Sequence, residues 1–288
     1  MHSAYMETPR RATLSVAIIT LNEEANLPRT LASVAWADEI VIVDSGSTDD
    51  TRSIAELYRA RFITEAWRGF AVQKNFAILL CTSDWVLSLD ADETVSPELA
   101  LSIQKALAAP PSTTAYALRR RNLFLGRWIR HGGYYPDPKL RLFPRGQCTF
   151  QETPVHETAV FAGNGGGAGV GNGGGAGVGN GGGAGVRSIE TLDGDLLHDA
   201  YPTLASYLDH MQRYSTLGAE IAVARGRTGM GLFRFLNGVL LNPLATFVYN
   251  YVLRAGFLDG REGLLLHLYH SAYVSWKYAK AWERARQR

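Results

Sequence analysis

Along the first third of the chain the apolar positions fall into short unbroken runs. Leu14-Ser15-Val16-Ala17-Ile18-Ile19-Thr20, Glu39-Ile40-Val41-Ile42-Val43-Asp44 and Trp85-Val86-Leu87-Ser88-Leu89 carry apolar residues at both odd and even positions. A strand of that kind has two faces to bury, as the central strands of a parallel sheet do. Helical segments fill the intervals: from about Asn26 to Val34, from the turn Ser45-Gly46-Ser47-Thr48-Asp49-Asp50 to about Arg61, and over Phe70–Leu80. A short strand is expected at 61–64, and Ser96-Pro97-Glu98 opens a further helix over about 97–108. Strand and helix alternating in this order predict an α/β fold with a parallel sheet. Ligands of such sheets bind at the carboxyl ends of the strands.

Pro110-Pro111 ends the alternation. Shorter strands are predicted at 115–119, 139–143 and 148–151, with the Gly- and Pro-rich segment 131–138 looping between the first two. Residues 163–186 are the octapeptide Gly-Asn-Gly-Gly-Gly-Ala-Gly-Val written three times in tandem. A lone valine per repeat offers no face to bury, so a stacked-repeat architecture is excluded and a disordered loop is expected. From Pro202 the pattern is helical, with Leu204, Leu208, Met211, Ser215 and Ile221 at helical spacing. Phe235–Leu253 has no charge and lies between Arg234 and Arg254. Its length just reaches a bilayer span, but Asn237, Asn242, Pro243 and Asn250 favour a helix pair lying in a membrane interface or packed on the domain. Leu264–Arg288 then mixes Tyr269, Tyr273, Trp276, Tyr278 and Trp282 with Lys and Arg, as a membrane interface selects and as an amphipathic helix packed on protein would also show. The organisation expected is a tail over 1–12, an α/β domain over 13–200 interrupted by the glycine insert, and a helical region over 201–288.

The 288 residues hold 29 Lys and Arg against 27 Asp and Glu, so net charge alone points to no class of partner. The local distribution says more. Arg119, Arg120, Arg121, Arg127, Arg130, Lys139, Arg141 and Arg145 stand against one acid, Asp137, a patch suited to phosphates or an anionic membrane surface. Cys81 and Cys148 lack metal-ligand spacing, which fits a reducing compartment without a disulfide framework. The first 12 residues have no apolar signal core, and a cytosolic chain is expected.

The strand at 85–89 runs into Asp90, Asp92 and Glu93. Carboxylates at i and i+2 point apart on an extended strand, but they can converge where the chain turns. Mg²⁺ or Mn²⁺ is held by one or two such groups plus substrate phosphates. Asn22-Glu23 and Asp44 end the other two strands. The string Asp90-Ala91-Asp92-Glu93-Thr94 also fits the nucleophile loop of haloacid-dehalogenase phosphotransferases, with Asp90 taking a phosphoryl group and Asp92 as acid/base. Against that, such a loop belongs to the first strand of its domain, whereas βα units precede it here.

Taken in order, several strings resemble family 2 glycosyltransferases. They are Thr20-Leu21-Asn22-Glu23-Glu24, Asp44-Ser45-Gly46-Ser47-Thr48-Asp49, Gln73-Lys74-Asn75, Asp90-Ala91-Asp92-Glu93, Arg141-Leu142-Phe143 and Val155-His156-Glu157, followed by His198 and Gly256-Phe257-Leu258-Asp259-Gly260. Within the family the chain is most similar to the bacterial lipopolysaccharide-core β-1,4-glucosyltransferase type, over about residues 13–280. The resemblance implies the GT-A fold, a Rossmann-like mixed sheet for nucleotide-diphospho-sugars, with a membrane-associating helical extension at the C-terminal end. It implies an inverting, metal-dependent transfer of one sugar from a UDP-sugar, UDP-glucose in the type case, to a lipid-linked glycan such as the lipopolysaccharide inner core. An anionic membrane surface would be a partner, nucleic acid would not, and the protein would sit on the cytosolic face of the inner membrane. An inactive interaction module of the same fold is the remaining alternative.

By the same resemblance Asp44 would hold the uracil or ribose, with Thr20, Asn22 and Glu23 lining that pocket. Lys74 and Arg141 would face the phosphates. Asp92 would ligate Mg²⁺ or Mn²⁺, with Asp90 supporting the ribose or the metal. Segment 115–151 would build the acceptor side of the cleft. Glu157 would be the catalytic base, with Glu152 and Asp137 as fall-backs and His156 and His198 as further candidates. Related enzymes carry a Glu-Asp pair where this chain has His156-Glu157, which leaves the division of roles there open.

Overall fold

The structure is a computed structural model that describes residues 11–108, 115–151, 158–161, 189–228 and 230–287. Its first half follows the apolar runs. β1 (Leu14–Thr20), α1 (Leu27–Val34), β2 (Glu39–Asp44), α2 (Thr51–Leu57), β3 (Arg61–Thr64), α3 (Phe70–Leu80) and β4 (Trp85–Asp90) alternate as expected. The four strands lie parallel in the order β3-β2-β1-β4. Every position of β1 is buried because both its faces are covered. Leu14, Val16 and Ile18 pack with Leu27 and Leu31 of α1, and Ala17 and Ile19 pack with Ala71, Ala77 and Ile78 of α3. α2 stops at Leu57, short of the predicted Arg61. Arg59 takes a left-handed conformation at φ 55, which ends the helix and turns the chain into β3.

The second half extends this sheet in the other sense. A short strand, β5 (Glu93–Val95), precedes α4 (Pro97–Ala108), and β6 (Ala115–Phe124), β7 (Arg127–Trp128), β8 (Asp137–Pro144), β9 (Cys148–Gln151), β10 (Thr158–Phe161) and β11 (Ile189–Tyr201) follow. β8 runs antiparallel to β4, β6 antiparallel to β8, β11 parallel to β6, and β5 antiparallel to β11. The sheet is therefore mixed, as the GT-A resemblance implies, and not parallel throughout as the alternation alone suggested. β6 and β8 are longer than the apolar pattern predicted because their distal halves are charged. β9 and β10 form a separate ribbon. The glycine repeat at 163–186 lies outside the described residues.

β11 has no apolar run to announce it, and its register slips between Thr191 and Asp195. Gly194 sits in the bulge at φ 91, with α4 packed against it. A Cβ there would stand 2.3 Å from the backbone nitrogen of Leu99.

A helical layer closes the fold. Thr203 caps α5 (Leu204–Ala224) by accepting from the backbone N–H of Ser206, so Pro202 stands outside the helix and not in its first turn. α6 (Leu232–Leu253) is one helix where a pair was expected. π turns at Asn237–Leu241 and Val248–Leu253 interrupt its α segments, and Pro243 falls at the start of an α segment, where the hydrogen-bond register has just shifted. A 3₁₀ turn, Gly256–Asp259, leads into α7 (Gly260–Arg286). Tyr207 and Met211 of α5 meet Leu266 of α7 over Phe124 and Ile129, which fastens the helical layer to the end of β6.

Gly194→Ala is expected to lower stability by about 1–3 kcal/mol, the usual cost of one strained backbone position. A urea titration should show a lower midpoint at unchanged slope.

Candidate active site

Strand pairing assembles the polar residues. Along one face of β6, Tyr116 and Leu118 belong to the core, and the next two residues on that face, Arg120 and Asn122, reach a cleft of about 1000 Å³. β11 repeats the change two strand positions apart: Leu196 is core and His198 lines the cleft. The register sets His198 beside Asn122 on one side and beside Glu93 on the other. From β1 and β4 the cleft receives Thr20, Asp90 and Asp92, and from β8 it receives Asp137, Lys139 and Arg141. It thus lies at the carboxyl ends of β1, β4, β6 and β11, where an open α/β sheet places ligands, and against the amino-terminal half of the antiparallel β8.

Along the cleft floor runs a chain of ion pairs, its members buried or half-buried. Lys74 of α3, only 2% exposed, places Nζ 2.6 Å from Asp90 Oδ1. Asp90 Oδ2 accepts from Arg141 Nη2 at 2.8 Å, and the same nitrogen donates to Glu93 Oε1 at 2.8 Å. Glu93 is fully buried, and its other oxygen accepts the backbone N–H of Asp90. Arg120 stands 3.6 Å from Glu93 and pairs with Asp137, which also holds Lys139 at 2.7 Å. Burial opposes ionisation of Asp90, but Arg141 and Lys74 outweigh it and hold the carboxyl well below the usual range. Asp137 is likewise lowered against burial by Arg120 and Lys139. Glu23 goes the other way, raised by burial and by the nearby acids Asp92, Asp49 and Asp90 against its bond from Asn26.

Asp92 and His198 form the part of the site open to a ligand. His198 Nε2 lies 3.3 Å from Asp92 Oδ2. Its other nitrogen, Nδ1, is 2.8 Å from Asn122 Oδ1. Asn122 is oriented by donating Nδ2 to Tyr134 O and Asp137 Oδ2 at 3.3 and 3.4 Å, so its oxygen must face the imidazole. Nδ1 is therefore the donor, and a neutral ring turns its Nε2 lone pair toward a carboxylate. Two electron-rich atoms so placed need a proton or a cation between them. Burial works to raise Asp92, and where the proton sits on His198 the charge and hydrogen bond of the imidazolium override it and lower the carboxyl.

The residues present fit a divalent ion. Cis ligands about 2.1 Å from an octahedral ion lie roughly 3 Å apart, close to the observed separation. A metal-bound histidine usually donates its second ring N–H to an oxygen, as His198 does to Asn122. Among the described residues no group of three or more His, Cys, Asp or Glu could hold a metal. The described residues would thus supply two ligands.

The expected site residues are distributed unevenly. Thr20, Glu23, Asp90, Asp92, Arg141 and His198 line the cleft. Asp90, expected at the ribose or metal, has both oxygens in the ion pairs just described. Lys74, expected at the phosphates, lies below Asp90. Asp44 is buried, and its carboxylate accepts from Thr20 Oγ1, Gly46 N, Ser47 N and Ser47 Oγ, closing the turn after β2. Asn22, at φ 55, accepts from the backbone N–H of Thr48 and joins the loops after β1 and β2. Glu157, His156 and Glu152 lie outside the described residues. Of the run Arg119-Arg120-Arg121 only Arg120 lines the cleft, because its neighbours point to the opposite face and pair with Asp195. Sequence reasoning missed the roles of Glu93, Arg120 and Asn122. The alternation Tyr116, Leu118, Arg120, Asn122 was the one signal that could have exposed the last two.

Comparison with known proteins agrees with this architecture. Residues 15–164 match the family described as Glycosyl transferase family 2, and the chain belongs to that family. It is therefore a glycosyltransferase, and the phosphotransferase reading of Asp90 falls. Asp90 also lacks the unpaired oxygen that a nucleophile needs. The chain is 30% identical over 282 residues to the lipopolysaccharide core biosynthesis glycosyltransferase LpsC of Rhizobium meliloti (strain 1021), covering 94% of this chain and 92% of that one. An uncharacterized glycosyltransferase of Rickettsia felis is 40% identical over 138 residues, 47% of this chain and 46% of the relative. Glucosyl-3-phosphoglycerate synthase from Mycobacterium tuberculosis, solved with Mn²⁺, UDP and glucosyl-3-phosphoglycerate, is 23% identical at a TM-score of 0.33. That overlay covers 39% of this chain and 44% of the other, too little to bear on the site.

Glu93→Ala removes the carboxylate between two buried guanidinium groups and is expected to cost roughly 3–5 kcal/mol, as loss of one partner of a buried pair does. Glu93→Gln should recover part of it, as read from denaturant midpoints. Lys139 gives a pH signature. Burial and Arg120 push its ammonium down to about 8 against the pull of Asp137. The unfolded side chain titrates near 10.5, so the unfolded chain binds more protons between about pH 8 and 10.5. Stability contributed by this residue should therefore rise with pH across that window, and Lys139→Met should flatten the rise.

Proposed function

We propose that this glycosyltransferase moves one hexose, glucose from UDP-glucose, with inversion, onto a lipid-linked glycan of the lipopolysaccharide inner-core kind. The observation that carries the reading is the Asp92–His198 pair, its tautomer fixed by Asn122, at the carboxyl ends of β4 and β11. The likeness to LpsC over nearly the whole chain supports the class of acceptor. We place the work at the cytosolic face of an anionic membrane.

Asp92 and His198 would hold Mg²⁺ or Mn²⁺, which supplies Lewis-acid neutralisation of the departing diphosphate. The remaining steps belong to the chain. Thr20 and Glu23 bound the donor end of the cleft, and Asp44 and Asn22 brace the loops that form it. Arg120, Lys139, Arg141 and Arg213 line the cleft along with Glu23, Asp90, Asp92 and Asp137, four basic and four acidic side chains. A metal–diphosphate complex therefore enters without a large charge mismatch. Asp90 and Lys74 act by positioning, since their pairing fixes the turn that aims Asp92. We assign the base to Glu157. The acceptor hydroxyl oxygen attacks the anomeric carbon, Glu157 takes the hydroxyl proton, and the bond to UDP breaks with its electron pair leaving on the phosphate. Among the acids that line the cleft, Asp137 is a poor base because Arg120 and Lys139 lower the proton affinity of its carboxylate.

UDP release from a panel of UDP-sugars, with and without Mn²⁺ or Mg²⁺, tests this without an acceptor. Metal-dependent release from UDP-glucose is expected, falling to background in Asp92→Asn and His198→Ala. Asn122→Ala should raise the metal concentration needed by about 10- to 100-fold. Glu157→Gln should bind UDP normally and lose about 10²–10⁴ in transfer to acceptor. Release that is indifferent to metal and to Asp92→Asn would defeat the metal assignment. UDP binding without turnover on any acceptor would mark an inactive module.

A further inference from the structure

Asp259 stands at the N-cap position of α7, where an aspartate ordinarily accepts from the first N–H groups of its own helix. It makes no such bond. Its carboxylate, only 2% exposed, is turned instead to the loop after β7, 128 residues earlier in the chain. Oδ2 accepts the backbone N–H of Arg130 at 3.1 Å and that of His131 at 2.8 Å, and Oδ1 lies 2.9 Å from His131 Nδ1. A carboxylate taken out of water needs such partners, and among the described residues Arg130 and His131 supply every hydrogen bond that Asp259 accepts.

Two further holds act on the same loop. Gly132 donates its backbone N–H to the carbonyl of Arg254 at 2.9 Å. The ring of His267, 1% exposed and without a hydrogen bond on either nitrogen, lies against Gly132, where a Cβ would come within 2.1 Å of it. Gly132 and Gly133 take φ 66 and 88, so the loop passes this gap in a conformation that glycine tolerates. Tyr134 follows, and its carbonyl accepts from Asn122 Nδ2 at 3.3 Å, while Asp137 accepts from the same nitrogen at 3.4 Å. Both bonds are long, so the two together hold the amide.

The orientation of that amide decides the chemistry of His198. With its oxygen toward Nδ1, the ring proton sits on Nδ1 and the Nε2 lone pair faces Asp92. Turned over, the amide would donate to Nδ1 and the proton would move to Nε2. Nε2–H would then bond Asp92, and no lone pair would be left for a cation.

We propose that Asp259 is a positioning residue for the Asp92–His198 pair. By fixing residues 130 and 131 it sets the Tyr134 carbonyl, and through it the Asn122 amide and the tautomer of His198. The turn Gly256–Asp259 thereby joins the helical layer to the chemistry of the sheet as well as to its packing. Control of the tautomer follows from this geometry, and only its effect on metal binding rests on the transferase reading.

Two-bond ¹H–¹⁵N spectra of the metal-free protein read the tautomer, with His198 identified by the signals missing from His198→Gln. In alkaline buffer, where imidazoles are neutral, the wild type should carry the proton on Nδ1. Asp259→Asn keeps the size of the side chain and should draw the two ring ¹⁵N shifts together as the tautomers mix. Gly132→Ala disturbs the loop from the His267 side with Asp259 intact and should do the same, which covers the case in which Asp259→Asn does not fold. In UDP release, Asp259→Asn should raise the Mn²⁺ concentration for the half-maximal rate about three- to tenfold, below the effect of Asn122→Ala. The Asn122→Ala/Asp259→Asn double variant should need no more Mn²⁺ than Asn122→Ala, because one route carries both effects.

A wild-type proton on Nε2, an unmoved tautomer in either folded loop variant, or additive effects in the double variant would overturn the proposal. Asp259 would then be a clasp that only fastens the helices. Mixed tautomers in the variants with no UDP release by the wild type strike the transferase reading alone. Metal-dependent UDP release with an unmoved tautomer strikes the positioning role alone.

Discussion

The ion-pair chain Lys74–Asp90–Arg141–Glu93 is the interaction on which the rest of the site depends. It links α3, β4, β8 and β5, and through Arg120 it reaches β6. The all-parallel part of the sheet ends at β4 and the mixed part begins at β8, so this chain crosses the seam between them. Charges taken out of water at that seam are tolerated only while every one has its partner. That requirement fixes the turn after β4, and the turn fixes where Asp92 points. Asp90 therefore serves chemistry through geometry.

A division of labour follows along single strands. Each of β6 and β11 begins as core and ends as active site, with the change occurring between side chains two residues apart on one face. The packing of Leu118 and Leu196 is then also the alignment of Arg120, Asn122 and His198. Second-sphere order comes at little extra cost, since Asn122 is set by the backbone carbonyl of Tyr134 and by Asp137. The loop that carries Tyr134 is itself held to the C-terminal helices by Asp259. The chemistry at the sheet and the surface presented by α6 are thereby mechanically one piece.

Much of the fold was legible beforehand because its cause is local. Runs with no polar face specify strands buried on both sides, and β1, β2, β3, α3 and α4 appear where the pattern put them. The acids after β4 and the family resemblance likewise rested on adjacent residues. What escaped was either charged where it was expected to be apolar, as in the distal halves of β6 and β8, or lacked a run at all, as in β11. One helix stands where Pro243 suggested two, because π turns shift the hydrogen-bond register around it.

The sequence by itself determined that an α/β sheet would carry acids at its strand ends and that a long uncharged helix would follow. Only the tertiary structure decided which acids are spent and which are available. Asp90 meets Arg141 across 51 residues, and His198 meets Asn122 across 76. Such partners are set by strand register, which no local pattern encodes. The same holds for α6. Its composition allowed burial or exposure of its apolar face, and exposure followed from where Ser271, Ser275 and Tyr278 of α7 came to lie.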